Sequence, residues 1–293
     1  MYSVSRPVPL LLSLVLTAAG QTPFAWHDLG DGRMQLSEAG RPALVYNFGP
    51  QLRAGAPESM RRCCYFFPVW TPAGVSILDD FPDGELHHRG LYWAWEIVEA
   101  GGQTFDSWKN LTLQTHAVKA PAVSVTPAEA LLTVHNLWRA AGEDIVREEV
   151  RLAVSAARGG AREFRVQLTW EAISRPVTLR ATTAAGKSYG GFVAHFAPAE
   201  DRVLRADGQA VTGDEDLNRH RWAEVEGVYD GKRAVMRITP DAADPGMPYQ
   251  WILRTRGFVG ASFPGRSGIA DGFTLKPGTP FSLAFLLRVA DVP

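Results

Sequence analysis

Strict two-residue alternation constrains this chain most. In residues 164–172 the apolar Phe164, Val166, Leu168, Trp170 and Ala172 alternate with Arg165, Gln167, Thr169 and Glu171. Successive side chains of an extended strand point to opposite faces, so such a run has one buried and one solvated face. In 146–154, Val146, Val150, Leu152 and Val154 oppose Arg147, Glu149 and Arg151. In 233–239, Ala234, Met236 and Ile238 oppose Arg233, Val235 and Arg237. Stretches 131–138, 192–196, 249–254 and 281–289 also read as strands. The 28 glycines and 20 prolines interrupt these runs at hairpin-like intervals. No long 3.6-residue apolar pattern appears, and short helical turns are expected only at 127–132 and 213–222. The expected fold is all-β, a large antiparallel β-sandwich. The polar stretch 197–221 is expected to be a loop covering a cleft.

The first twenty residues stand apart. Arg6 precedes an apolar run, and Thr17-Ala18-Ala19-Gly20 is a small-residue cleavage site. Residues 1–20 therefore read as a signal peptide, and 21–293 as a single β-sandwich domain. The expected location is periplasmic or extracellular, without membrane insertion, because the apolar run is too short to span a bilayer. A formal net charge of −1 argues against nucleic acid as a partner, since such binders carry a basic face. The two cysteines are adjacent, Cys63 and Cys64. A bridge between neighbours is strained, so two buried thiols are expected.

The chemistry-bearing residues gather in Asp79-Asp80-Phe81-Pro82-Asp83-Gly84-Glu85-Leu86-His87-His88-Arg89, followed by Gly90-Leu91-Tyr92-Trp93-Ala94-Trp95. Two of seven histidines are neighbours here. Imidazole titrates near neutrality and can ligate metals, and Arg89 offers a rigid fork for an oxyanion or carboxylate. Read as a strand, the segment puts His87 and Arg89 on one face and His88 on the other, so Glu85 pairs with His87. Adjacent strand histidines cannot both reach one ion, and the spacing matches no zinc signature. No metal and no cofactor are therefore expected. A plainer reading is a strand edge with one histidine packed inward.

Three further segments add candidates. Asp106 beside Trp108 can grip a polyol by hydrogen bonds and stacking, or Asp106 simply caps a turn. In Tyr189-Gly190-Gly191-Phe192-Val193-Ala194-His195-Phe196, the paired glycines permit close backbone approach. Tyr189 and His195 there lie out of phase with Phe192, Ala194 and Phe196, which turns His195 toward a cleft. Arg254 follows a Pro-rich loop and Trp251. The candidate catalytic residues are thus Glu85, His87, His88, Arg89, Asp106, Tyr189 and His195. Trp93, Trp95, Trp108 and Arg254 are the candidate substrate contacts.

Taken in order, Arg61, Tyr65-Phe66-Phe67-Pro68-Val69, Phe81-Pro82, the His87–Trp95 block, Asp106, Trp108, Tyr189-Gly190-Gly191 and the closing Leu275-x-Pro277-Gly278 resemble the exported bacterial PmoA-like family, labelled "methane oxygenase". The resemblance covers nearly the whole mature chain. It implies a galactose-mutarotase-like β-sandwich from bacteria that degrade complex glycans. The family pattern often reads Asp-His-Pro-His-His-Arg, whereas this chain has Gly84-Glu85-Leu86 before His87, leaving Glu85 as the substitute donor. It also has His195 where the family has Arg.

Three functions fit these residues. One is an exported carbohydrate-active enzyme working by acid–base catalysis on a glycoside or sugar ring, with Glu85 and Asp106 as the first carboxylate pair. Another is a non-catalytic glycan-binding module using the same aromatics. The third is a metal-dependent oxidoreductase, as the family label implies. All three take a small-molecule or glycan ligand.

Overall fold

The structure is a computed structural model describing residues 23–109, 112–182, 187–266 and 272–293. Residues 1–20, read from the sequence as a signal peptide, lie outside the described residues. Among them, the strands form antiparallel sheets of nine, ten and four strands. The all-β architecture is as the alternation requires. No described helix is long and apolar enough to cross a membrane.

The nine-stranded sheet runs Phe24–Gly30, Arg33–Glu38, Arg41–Asn47, Tyr65–Val69, Leu91–Ala94, Gly191–His195, Phe258–Ser262, Tyr249–Arg254 and Arg219–His220. The ten-stranded sheet is built around the long strands Glu129–Ala140, Glu143–Ser155, Ala161–Ala172, Lys232–Pro240 and Phe281–Asp291. Its residue pairs match the alternation read from sequence. Val150 faces Leu168 across one ladder, and Val166 faces Phe285 across the next. The inward residues of both large sheets form one core, with Trp93, Trp95, Phe192 and Trp251 from one side and Trp138, Trp170, Leu168 and Phe285 from the other. Burial of this apolar surface is the main favourable term, at roughly 25 cal/mol per Å².

Three local expectations fail. Residues 127–132 are not a helical turn, because the strand Glu129–Ala140 begins inside them. No helix occupies 213–222, where Arg219–His220 pairs with Tyr249 and Gln250. The stretch 197–221 is also not one loop. It carries the strands Glu200–Ala206 and Gln209–Ala210 at the edge of the ten-stranded sheet. Short strands rich in charge carry too few apolar positions to show a period, which is why composition there resembled a loop. Cys63 and Cys64 are free, buried thiols as expected.

Glu148 occupies an inward position, in phase with Val146 and Val150. Its Oε2 accepts hydrogen bonds from the indole N–H groups of Trp93 (2.6 Å), Trp138 (3.0 Å) and Trp170 (2.7 Å), and its Oε1 from Asn136 (2.7 Å). A buried carboxylate is costly unless its acceptors are met. Here all four partners are donors, and three indoles from both sheets converge on one group.

Candidate functional site

The central strands of the nine-stranded sheet carry apolar residues on both faces. Leu91, Trp93, Phe192, Ala194, Trp251 and Leu253 enter the main core. The alternate residues Tyr92, Val193 and Ile252 join Tyr65, Trp108 and Phe258 in a second cluster on the outer face. His195 shares the phase of Val193, and Arg254 that of Ile252, so both emerge on this outer face. That part of the sequence reading holds for His195.

The segment 79–90 is not a strand. It folds back in tight turns before Leu91–Ala94. The Glu85 N–H donates to the Pro82 carbonyl (3.1 Å), and the His88 N–H donates to the Glu85 carbonyl (2.8 Å). Such a turn brings residues three apart together, so Glu85 pairs with His88 rather than His87. Glu85 Oε2 lies 2.7 Å from His88 Nδ1, and His88 Nδ1 lies 3.1 Å from His195 Nδ1. The backbone locks this approach, since His195 N–H donates to Gly90 O (2.8 Å) and Asp79 N–H to His195 O (2.9 Å).

The two histidines of the cluster are buried and ringed by aromatics. His88 is 4 % exposed and His195 9 %. The His88 ring stacks on Phe258 at 4.4 Å, with the edge of Trp108 6.4 Å away. Burial holds the His88 imidazole below its usual range. Burial, with the neighbouring His88, lowers His195 to about 4. Glu85 falls to about 2 through its hydrogen bond with His88, aided by Arg256, whose Nη2 is 2.5 Å from the other carboxylate oxygen. His87 stands beside the cluster, its ring 4.3 Å from that of His88, and burial depresses it to about 3.

Arg89 does not face a ligand. It is fully buried, and its guanidinium donates to the carbonyls of Leu86 (2.7 Å), His88 (2.6 Å) and Met60. It lies over the Phe81 ring at 3.6 Å and 3.7 Å from Asp80. The residue read as an oxyanion holder is the internal brace of the turn segment. Trp93 and Trp95 are likewise not stacking surfaces. Both sit in the core, donating to Glu148 and to the Phe263 carbonyl. Their strand is apolar on both faces, so its inward phase was hidden.

Asp106 caps a turn. Its Oδ1 accepts the Lys109 N–H (2.9 Å), and it is not among the carboxylates that meet the histidines. Trp108 is buried but touches the site, stacking on Tyr189 at 5.2 Å. The Tyr189 hydroxyl accepts from Arg254 Nη2 (3.1 Å), and Arg254 is held by Asp216 (2.6 Å). Within 197–221, Asp216 and the Glu215 carbonyl hold Arg254, which reaches the histidine cluster only through Tyr189 and Trp108. The glycines of Tyr189-Gly190-Gly191 serve neighbouring protein. At Gly191, φ is +120°, and a Cβ would collide with the Ala261 carbonyl of the adjacent strand.

The sequence reading missed three groups. Arg256 and Phe258 flank Gly257 in the turn after Arg254, and an Arg-x-Arg-Gly-Phe turn between strands was a usable signal. The third, Asp80, lay within the acidic run already noted. Asp80 lines a cavity of about 490 Å³ on the same segment, with Gln35, Asn47, Tyr65, Phe67 and Arg53. Burial raises its carboxyl to about 6. Its Oδ2 accepts the Tyr65 hydroxyl (2.8 Å), while Oδ1 accepts no hydrogen bond.

Among solved structures, the chain is similar to a GalM/aldose epimerase homologue from C. elegans, at 8 % identity and TM-score 0.41, covering 93 % of this chain and 100 % of that one. It is also similar to a candidate kojibiose phosphorylase from the human microbiome, at 7 % identity and TM-score 0.36, covering 89 % of this chain but 29 % of that one. No curated protein matches the sequence. The model of the family of unknown function DUF6807 matches residues 33–292, and the chain belongs to that family.

Proposed function

We propose that this is an exported carbohydrate-active protein performing acid–base chemistry on a sugar held on the outer face of the nine-stranded sheet. The observation that carries the reading is the double use of segment 79–90. At one end it presents Asp80 to a cavity of about 490 Å³, within the usual range for small-molecule sites. At the other end it supplies Glu85 and His88 to the cluster with His195. Phe81 N–H bonds the His88 carbonyl (3.3 Å), tying the two ends together. Gln35 and Arg53 offer hydroxyl-binding groups, and the half-buried Phe67 offers a ring face. A carboxyl with a pKa of about 6 is poised to give or take a proton near neutrality.

The test is a glycan-library screen, followed by rates and affinities for Asp80→Asn and His88→Gln. Loss of a positioned proton-transfer group costs roughly two to four orders of magnitude in rate. We expect Asp80→Asn to show that loss while affinity changes little. A glycan that binds, is never altered, and binds both variants equally would make the protein a glycan-binding module instead. The third reading, a metal-dependent oxidoreductase, finds support in the ligand set of the histidine cluster.

A further inference from the structure

We infer that Glu85, His88 and His195 form a binding site for one divalent transition-metal ion, with a carboxylate oxygen and the two Nδ1 atoms as ligands. The inference rests on the proposed reading only in placing the reactive centre at this face, and ion binding itself needs no sugar.

Geometry and hydrogen counting support it. The three donor atoms all lie within 4.8 Å of one another, with separations of 2.7 Å and 3.1 Å measured from His88 Nδ1. Ligands about 2.1 Å from a tetrahedral ion sit about 3.4 Å apart, so small shifts of Glu85 and His195 away from His88 would admit one. A neutral imidazole carries a single ring hydrogen. If His88 bears it on Nδ1, that one hydrogen faces both the Glu85 carboxylate and the Nδ1 of His195. If His195 bears it instead, it points at His88, and the Glu85–His88 contact joins two acceptors. In either tautomer, one ring hydrogen is left to serve two close contacts; with both ring hydrogens on Nε2, the three atoms present only lone pairs to one another. A cation satisfies all three.

The surroundings fit an ion. Arg256 binds the carboxylate oxygen that faces away from His88, fixing the orientation of Glu85, as outer partners of metal ligands do. Its positive charge weakens the site, but two imidazoles supply most of the binding to a borderline transition metal. The Glu85 side chain is 27 % exposed and offers the entry path, while both histidines lie behind it. Three protein ligands leave a coordination position open, where a bound water would become acidic enough to act near neutral pH. Acid–base chemistry at the cluster would then run through that water. The sequence expectation of no metal assumed two neighbouring strand histidines. The ligands are instead one histidine from a turn and one from a strand, and His87 takes no part.

The experiment uses the full chain without a polyhistidine tag, stripped with chelator and titrated with Co²⁺ and Zn²⁺. We expect one equivalent of Co²⁺ to bind with ligand-field absorption, and Zn²⁺ to displace it and raise the melting temperature. His195→Gln and Glu85→Gln should abolish the absorption band and the thermal shift. His116→Gln, a surface change, should have no effect. Melting of the metal-free variants shows whether each folds, and Glu85→Gln is partly exposed and leaves the core untouched. Absence of stoichiometric binding, or binding unchanged in folded Glu85→Gln, overturns the assignment. If the ion binds but no glycan is altered, the sugar reading falls and the metal site stands. If no ion binds and Asp80→Asn still abolishes turnover, the reverse holds.

Discussion

His88 and His195 meet Nδ1 to Nδ1 at 3.1 Å across 107 positions of sequence. Neither residue is oriented by its own strand alone. His195 leaves the outer face of Gly191–His195, while His88 is the end of a turn that Arg89 braces from beneath. The approach of the two rings therefore depends on how firmly segment 79–90 is held.

Arg89→Lys tests that brace. The guanidinium reaches three carbonyls at once, whereas a lysine ammonium lacks the planar fork to do so. Buried carbonyls left without donors cost about 1–3 kcal/mol each. We expect a loss of about 1–3 kcal/mol in urea unfolding, with NMR amide shifts concentrated in 79–90. A variant as stable as wild type, with unshifted 79–90 resonances, would contradict the bracing role.

Asp80 makes stability depend on pH with an unusual sign. Burial raises its folded pKa to about 6, above the ordinary carboxyl value. Between those two values the folded state holds a proton that the unfolded state has released. Stability from this group is therefore full at low pH and falls as pH rises through about 6. The shift of about two units corresponds to roughly 3 kcal/mol at most. The stability of wild type minus that of Asp80→Asn, followed by urea melts from pH 4 to 7.5, should decline across that window. A flat or rising difference would refute the buried-acid assignment.

Glu148 is predicted to be a structural keystone. Glu148→Leu would strand three indole N–H groups and the Asn136 amide inside the core. Each unmet donor costs about 1–3 kcal/mol, not additively. We expect a loss of at least about 3 kcal/mol, with altered tryptophan fluorescence and a smaller loss for Glu148→Gln, which keeps one acceptor oxygen. Near-wild-type melting of Glu148→Leu would show that the indoles find other partners.

Much of the fold was legible in the chain. In the ten-stranded sheet one face meets the core and the other meets water, so Phe164, Val166 and Leu168 declare their side residue by residue. The same rule turned His195 outward, opposite Phe192 and Ala194. It also placed Glu148 inward between Val146 and Val150, a signal present but unread. In Leu91-Tyr92-Trp93-Ala94-Trp95 both faces are apolar, because the second aromatic cluster covers the outer one. Alternation there carries no contrast, and Trp93 and Trp95 passed for exposed platforms.

The site was legible as a list of residue types and not as an arrangement. Sequence alone determined that carboxylates, histidines and an arginine crowd 79–90, and that the outward phase of 191–195 ends in His195. Only the tertiary structure decided that a turn joins Glu85 to His88, that Arg89 points inward to backbone carbonyls, and that Asp80 opens on a cavity. The physical reason is range. Strand phase is set by neighbours two residues apart and is written locally. Turn geometry and the meeting of His88 with His195 depend on backbone hydrogen bonds between segments that are distant in the chain.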